Sequence, residues 1–231
     1  MHPRERETGS TKGRVTIAVI FVLVVAVLIG LMIRGKDSTD RRPRSPTSAT
    51  TVRNIVSALK SYHNDYGKFP PIDVKALQSG KKTICFGDPA CKISDGPNSL
   101  LFDVLRAIPR EANANHQLNR RQQKYFEMGK AKDPKAPRDG FADGSEYPEA
   151  LQGCLLDPWG RQYCIVFTMD DSDAIDLSAI YSDLAGPEHL IRVPIAVFSL
   201  GKDGIPGGKG YEGKLRKPSS NEPPDDIVSW Q

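Results

Sequence analysis

The sequence lacks the short motifs that mark common catalytic sites. It contains no G-x-S-x-G, no H-E-x-x-H and no P-loop pattern. Its four histidines are isolated from one another, and none lies in a recognised motif with a serine or cysteine. These absences argue against a serine hydrolase, a zinc protease and a nucleotide-dependent enzyme. We therefore expect a protein without catalytic activity.

The sequence also lacks a strong charge of one sign. Lysine and arginine number 32 against 28 aspartates and glutamates, and much of this small excess lies near the N-terminus. One basic strip, Arg120, Arg121 and Lys124 beside Tyr125 and Phe126, has the composition of a single-strand binding surface. A cluster of this size more often forms a solvated face. We expect no nucleic-acid partner.

A long hydrophobic run occurs once, at residues 15–33 (VTIAVIFVLVVAVLIGLMI), and it contains no charged residue. As a helix it would rise ~28 Å, about the thickness of the hydrocarbon core of a bilayer. It shows no polar stripe and no small-x-small cleavage site. The run predicts a retained transmembrane helix. The chain then divides into a cytoplasmic tip (1–14), the membrane helix (15–33), a hinge (34–45) and an extracytoplasmic head (46–231).

The cysteines bear on the compartment of this head, because basic residues flank the hydrophobic run almost equally on both sides. The sequence has four cysteines, Cys85 close to Cys91 and Cys154 close to Cys164. Their spacings do not fit a zinc knuckle. An even number in a loop-rich region favours disulfides and an oxidising compartment. Because these pairings close the shortest loops, we predict bridges from Cys85 to Cys91 and from Cys154 to Cys164.

The head begins with a segment that has helical periodicity. Ser45 and Pro46 form a typical helix start, and Gly67 followed by Pro70 and Pro71 forms a typical end. Between them, apolar and aromatic residues recur at three- and four-residue steps. This pattern predicts an amphipathic helix whose inward face carries Val52, Ile55, Val56, Leu59, Tyr62, His63 and Tyr66.

The remainder of the head favours a second short helix and then strands. Asn98 is a candidate N-cap for a helix that stops before Pro109, and residues 125–128 have the composition of a short strand. From residue 154 the pattern is β-rich, with the turn sequence DPWG at 157–160 and strands at 162–169 and 193–200. We therefore predict an α+β fold with an amphipathic helix packed on a small antiparallel sheet.

Three blocks of the head resemble the major pseudopilins of type II secretion systems, within the type IV pilin-like superfamily. They are ALKSYHNDYGKFP at 58–70, DPWGRQY at 157–163, and SLGKDG at 199–204 followed by the glycine pair at 207–208 and DDIVSW at 225–230. The blocks occur in the family's order. The resemblance implies a pilin-like head on a single-pass inner-membrane anchor, with the N-terminus cytoplasmic and the head periplasmic.

The resemblance also implies a function and a cofactor. Family members are non-catalytic subunits of a secretion pseudopilus or a pilus-like assembly. Their partners are copies of themselves, other pseudopilins and the inner-membrane platform of the secretion machinery. The C-terminal loop of the family binds calcium, which prefers carboxylate and carbonyl oxygens. Carried onto this chain, the ligands are the Leu200 carbonyl and the side chains of Asp203, Asp225 and Asp226.

The N-terminal segment departs from the family pattern. If Gly13 ends the leader, Arg14 stands where the family has phenylalanine and Ala18 stands where it has the glutamate that registers subunits in the filament. Pro43 and Pro46 interrupt a helix that is usually continuous in the family, and the insertion at 85–153 is long. These departures favour an alternative function: a membrane-anchored periplasmic scaffold or binding domain that has lost filament assembly.

Overall fold

The longest helix among the described residues, α1 (Pro46–Tyr66), has the bounds that the sequence predicts. Proline suits the first turn because the N–H that it lacks would have no helical acceptor there. At the other end, the Gly67 N–H donates to the His63 carbonyl over 2.7 Å, and Gly67 has the left-handed backbone of a helix C-cap. The inward face of α1 is buried at Val52, Ile55, Ala58, Leu59 and Tyr62.

The computed structural model describes residues 46–72, 82–170, 172–184, 190–216 and 223–230. The chain divides into two units, Met1–Pro43 and Arg44–Gln231, and the described residues all belong to the second. The predicted tip, membrane helix and hinge lie outside them. Among the described helices, none has the length and the apolar character needed to cross a membrane.

Short elements follow α1 along the described chain. The second helix is α2 (Ser99–Leu105). Single 3-10 segments occur at Glu111–His116, Glu149–Leu151 and Ser182–Leu184. The strands are β1 (Thr83–Phe86), β2 (Gly140–Phe141), β3 (Leu155–Leu156), β4 (Cys164–Thr168), β5 (Ile175–Asp176), β6 (Leu190–Ile191), β7 (Ile195–Ser199) and β8 (Ile227–Val228).

The main sheet has four antiparallel strands in the order β1-β4-β7-β8. Two further sheets have two strands each: β2 pairs with β3, and β5 pairs with β6. The fold is α+β with a small antiparallel sheet, as the sequence predicts. The strong strands predicted at 162–169 and 193–200 correspond to β4 and β7, the two central strands.

Both faces of the main sheet are buried. Residues on one face, including Phe86, Ile165 and Val197, belong to the apolar cluster that contains the inward face of α1. The alternate residues, including Val166 and Phe198, belong to a second cluster formed with the loops after β4 and β7. Because side chains alternate along a strand, each central strand supplies both clusters. The sheet is therefore a middle layer between a helix and a set of ordered loops.

The predicted strand at 125–128 is wrong. The backbone there is irregular, and the Tyr125 N–H donates to the Leu105 carbonyl at the end of α2 over 2.8 Å. Phe126 is buried against Phe102, with ring centroids 5.2 Å apart. The aromatic residues in this segment anchor it to α2, so their β-like composition reflects burial and not strand pairing.

Asn98 does not cap α2 with its side chain, contrary to the prediction. Its amide nitrogen donates to the carbonyls of Leu155 and Tyr163 over 3.0 and 3.1 Å, and its amide oxygen accepts from the Leu155 N–H over 3.0 Å. The side chain is completely buried. Asn98 thus joins α2 to the two arms of the DPWG hairpin.

Replacing Asn98 by alanine should destabilise the head by about 3 kcal/mol or more, because a buried backbone group without a partner costs roughly 1–3 kcal/mol. The matched control is Asn64→Ala, an exposed position on α1, which should change stability by less than about 0.5 kcal/mol. Urea unfolding of the full-length chain measures both. Equal stability of the two variants would contradict the proposed hydrogen-bonding role of Asn98.

Candidate functional site

The third block of the resemblance forms a loop at the end of β7 that returns to β8. Two glycines bring its backbone close to Asp225. Gly201 has a φ of +66°, and a Cβ there would lie 2.5 Å from Asp225 Oδ2. Gly208 has a φ of +87°, and a Cβ there would lie 2.6 Å from Asp225 Oδ1. The loop therefore needs glycine at both positions for its backbone conformation and for space.

Asp225 and Asp203 organise the first part of the loop. Asp225 Oδ2 accepts from the N–H groups of Lys202 and Asp203 over 2.7 and 3.4 Å. Asp203 in turn accepts from the N–H groups of Ile205 and Lys209. The site where a Gly208 Cβ would stand is within 3.7 Å of oxygens from both carboxylates. These two predicted ligands therefore both lie close to Gly208.

Asp226 has a different set of partners from Asp225. Its Oδ2 accepts from the Gly207 N–H over 2.8 Å and from the Tyr181 hydroxyl over 2.7 Å. The side chain is only 2% exposed. Tyr181 carries no motif that would identify it from the sequence, and it is fully buried against Phe198 with ring centroids 5.7 Å apart. Asp226 thus fixes the loop to the second apolar cluster.

The electrostatics of the loop disfavour three ionised carboxylates. Burial, together with the nearby Asp225 and Asp203 carboxylates, raises the pKa of Asp226 to about 7. Burial and then Asp203 raise the pKa of Asp225. The groups that stabilise the charged forms are backbone N–H groups and the Tyr181 hydroxyl. A proton or a cation would relieve the repulsion.

The residues present fit a hard cation in one respect. Asp225 Oδ1 and Asp226 Oδ1 are buried and accept no hydrogen bond, and buried carboxylate oxygens need a partner. Across the described ranges, however, no three side chains of His, Cys, Asp or Glu converge closely enough to hold a metal. A cation here would therefore depend on backbone carbonyls. Leu200, the predicted carbonyl ligand, directly precedes Gly201, and its side chain is buried in the second cluster.

The DPWG turn contacts this loop through hydrogen bonds. Asp157 Oδ1 accepts from the N–H groups of Trp159 and Arg161, both over 2.9 Å, which fixes the turn. Asp157 Oδ2 accepts from the Ser199 hydroxyl over 2.5 Å. Arg161 donates to the Asp203 carbonyl over 3.3 Å. The second and third blocks of the resemblance, remote in sequence, are therefore in direct contact.

The four cysteines lie in two buried clusters. None of the four forms a disulfide in the structure, and all are buried. The Sγ atoms of Cys85 and Cys91 lie 3.8 Å apart, so a bridge between them stays a prediction. Cys164 belongs to the same apolar cluster as these two, whereas Cys154 packs in a separate cluster with Ala142 and Leu156. The bridge from Cys154 to Cys164 also stays a prediction.

The basic strip makes contacts within the head. Arg121 forms an ion pair with Asp65 over 2.9 Å, and Lys124 forms one with Glu127 over 2.9 Å. The Tyr125 hydroxyl donates to Asp65 over 2.6 Å. His63 packs on Phe69 at a centroid distance of 4.7 Å. These residues connect α1 to the segment after α2.

The architecture defines an α+β head with one long helix on a four-stranded antiparallel sheet. Comparison of the chain with protein-family models, with curated proteins and with solved structures gives no match.

Asp157 should make stability depend on pH. It is fully buried, and burial raises its pKa to about 6, against about 3.9 in an unfolded chain. Between pH 4 and 6 the folded state keeps a proton that the unfolded state has released, so this group's contribution to stability falls as pH rises. The isosteric variant Asp157→Asn cannot titrate. Its stability relative to the wild type should therefore rise by up to about 3 kcal/mol from pH 4 to pH 7.

Chemical unfolding at a series of pH values measures this difference. The exposed Asp133→Asn variant is the control and should follow the wild type throughout. An Asp157→Asn profile parallel to that of the wild type would show that folding does not change the pKa of Asp157, and it would contradict the raised value.

Proposed function

We propose that the chain is a membrane-anchored, non-catalytic, pseudopilin-like subunit of a type II secretion pseudopilus or a related pilus-like assembly. Its anchor is the hydrophobic run at 15–33, its N-terminus is cytoplasmic, and its head is periplasmic. It works by lateral association with its own copies or with other pseudopilins, on the inner-membrane platform of the secretion machinery.

One observation carries this proposal: the three blocks of the resemblance come together in the fold. The first block ends α1, which packs against β7 and β8. The second block contacts the third through the bond from Ser199 to Asp157. The third block closes on itself where Asp225 accepts from the Lys202 N–H. If the three blocks resemble one family because they form one structural unit, they should contact one another in the fold.

The outer face of α1 supports lateral association. The positions that do not face the sheet are exposed and polar, and side chains there are short or flexible. A helix of 21 residues with such a face offers a long surface for a partner. The exposed residues are Thr50, Arg53, Asn54, Ser57, Lys60, Ser61 and Asn64.

The alternative function, a membrane-anchored periplasmic scaffold or binding domain without filament assembly, is favoured by a specific observation. Arg14 and Ala18 replace the phenylalanine and the glutamate of the family. Both positions lie outside the described residues. The alternative keeps the head and its anchor and removes only the repeated self-contact.

We also propose that calcium binds the C-terminal loop of this head. The side chains of Asp203 and Asp225 and the Leu200 carbonyl would be ligands, and Asp226 would hold the loop through Gly207 and Tyr181. Asp225 Oδ1, which is buried and accepts no hydrogen bond, and the raised pKa of Asp225 support a cation. Calcium would supply the positive charge that the buried carboxylates need.

A photo-crosslinking residue at Ser57 tests the assembly. In native membranes we expect crosslinked species at two, three and more times the mass of the full-length chain, because every subunit would contact the next. The control places the same residue at exposed Lys135, far along the chain in the 85–153 insertion. Crosslinks to a single different protein would favour the scaffold, and a membrane-inserted chain without crosslinks at Ser57 would contradict lateral association through α1.

Thermal unfolding of the full-length chain tests calcium. A ligand at one hundred times its Kd stabilises the folded state by about 2.7 kcal/mol, which should raise Tm by roughly 5–10 °C for a domain of this size. Asp225→Asn and Asp203→Asn should lose most of this rise, whereas the exposed Asp173→Asn variant should keep it. If the wild type melts at the same temperature with calcium and with a chelator, the loop holds no calcium.

A further inference from the structure

Three of the four cysteines share one buried site on the loop-covered face of the main sheet. Cys85 is in β1, Cys164 is in β4, and Cys91 is in the loop that follows β1. Each is at most 2% exposed. Neither the proposed assembly nor the proposed calcium loop uses these thiols, so the cluster needs its own explanation.

Strand register fixes two of the thiols and separates them. Cys85 pairs with Val166 across the ladder, so Cys164 is its diagonal neighbour on the same face. Diagonal neighbours on adjacent strands have Cα atoms about 7–8 Å apart, which is beyond the usual span of a disulfide. A direct bridge between the two strand cysteines would therefore distort the sheet.

Cys91 lies between the other two. Its Sγ is 3.8 Å from Cys85 Sγ, and it packs with Cys164 in the same buried cluster. The loop holds it there: the Cys91 N–H donates to the Asp88 carbonyl, and the Cys91 carbonyl accepts from the Ser94 N–H, both over 2.9 Å. Cys91 is thus the member of the cluster that the loop carries to the two strand cysteines.

We propose that this cluster is a redox site with Cys91 as the shared member, so that oxidation forms a single internal disulfide from Cys91 to either Cys85 or Cys164. The oxidant is a disulfide of low molecular weight or a thiol–disulfide oxidoreductase. The third thiol stays reduced and can move the bridge by exchange.

The reaction balances as two successive exchanges. The Cys91 thiolate attacks the oxidant's disulfide, one sulfur leaves as a thiolate, and a mixed disulfide forms at Cys91. The thiolate of Cys85 or Cys164 then attacks Cys91 Sγ, and the second oxidant sulfur leaves. Two cysteine protons and two electrons pass to the oxidant, which becomes two thiols. Hydrogen bonds from Cys164 and Cys85 lower the pKa of Cys91, while burial raises that of Cys164, which favours Cys91 as the first nucleophile.

The two bridges have different structural effects. The loop is already tied to β1, because the Cys85 N–H donates to Asp95 Oδ2 and the Asp95 N–H donates to the Cys85 carbonyl. A bridge from Cys91 to Cys85 therefore adds a local closure. A bridge from Cys91 to Cys164 instead fastens the loop to a central strand that is far along the chain.

The test is disulfide mapping of the full-length chain after incubation with glutathione disulfide under native conditions and trapping with N-ethylmaleimide. The wild type should give one internal bridge per chain, always containing Cys91. Cys85→Ser should give only the bridge from Cys91 to Cys164, and Cys164→Ser only that from Cys91 to Cys85. Cys154→Ser is the matched control, because Cys154 is buried in another cluster, and it should give the wild-type map.

Two results would overturn the proposal. One is a bridge from Cys85 to Cys164 in folded Cys91→Ser, which should form none. The other is loss of every bridge in folded Cys85→Ser or Cys164→Ser, since each variant keeps Cys91 and one partner. Circular dichroism and the urea midpoint identify folded variants, and alanine replaces serine at any position where serine prevents folding.

Discussion

The strict alternation of side chains along β4 and β7 is the constraint on which the rest of the head depends. One set of alternate residues packs under α1, and the other set packs under the loops after the two strands. An antiparallel sheet of four strands with one solvated face would need only the helix. Here Val166 and Phe198 require a second cover. The loops are therefore part of the core, and carboxylates within them accept hydrogen bonds from their backbone N–H groups.

Covering a sheet with loops buries backbone N–H groups that need hydrogen-bond acceptors. In the C-terminal loop, carboxylates are these acceptors. Irregular backbone leaves N–H groups that no strand accepts, and buried N–H groups need acceptors. Asp203, Asp225 and Asp226 each accept from at least one of these groups. The same burial that orders the loop brings three carboxylates together and raises the pKa of two of them. The order of the loop and the crowding of its carboxylates therefore have one origin.

Local patterns were sufficient for the elements that carry their own signals. The bounds of α1 follow from its periodicity and its end residues. β4 follows from the apolar run after the DPWG turn, and β7 follows from the apolar run at 193–200. Hydrogen bonds and packing between residues far apart in the chain could not be predicted from local patterns. The Asn98 amide donates to the hairpin arms, and the Tyr181 hydroxyl donates to Asp226. Cys91 packs in one cluster with Cys164. Each of these contacts depends on the order of strands in the sheet. The strand predicted at 125–128 was wrong because the aromatic residues at 125–126 are typical of strands, whereas here they belong to an irregular segment.

The sheet order determines when the head can become complete. β1 pairs with β4 across some eighty residues, and β8 pairs with β7 only after the long glycine-rich loop. Closing such loops costs entropy before any contact forms, so folds of this kind assemble slowly. β8 directly follows Asp225 and Asp226 in the chain. β8, the last of the described strands in chain order, therefore completes the main sheet and buries the two carboxylates in the same event.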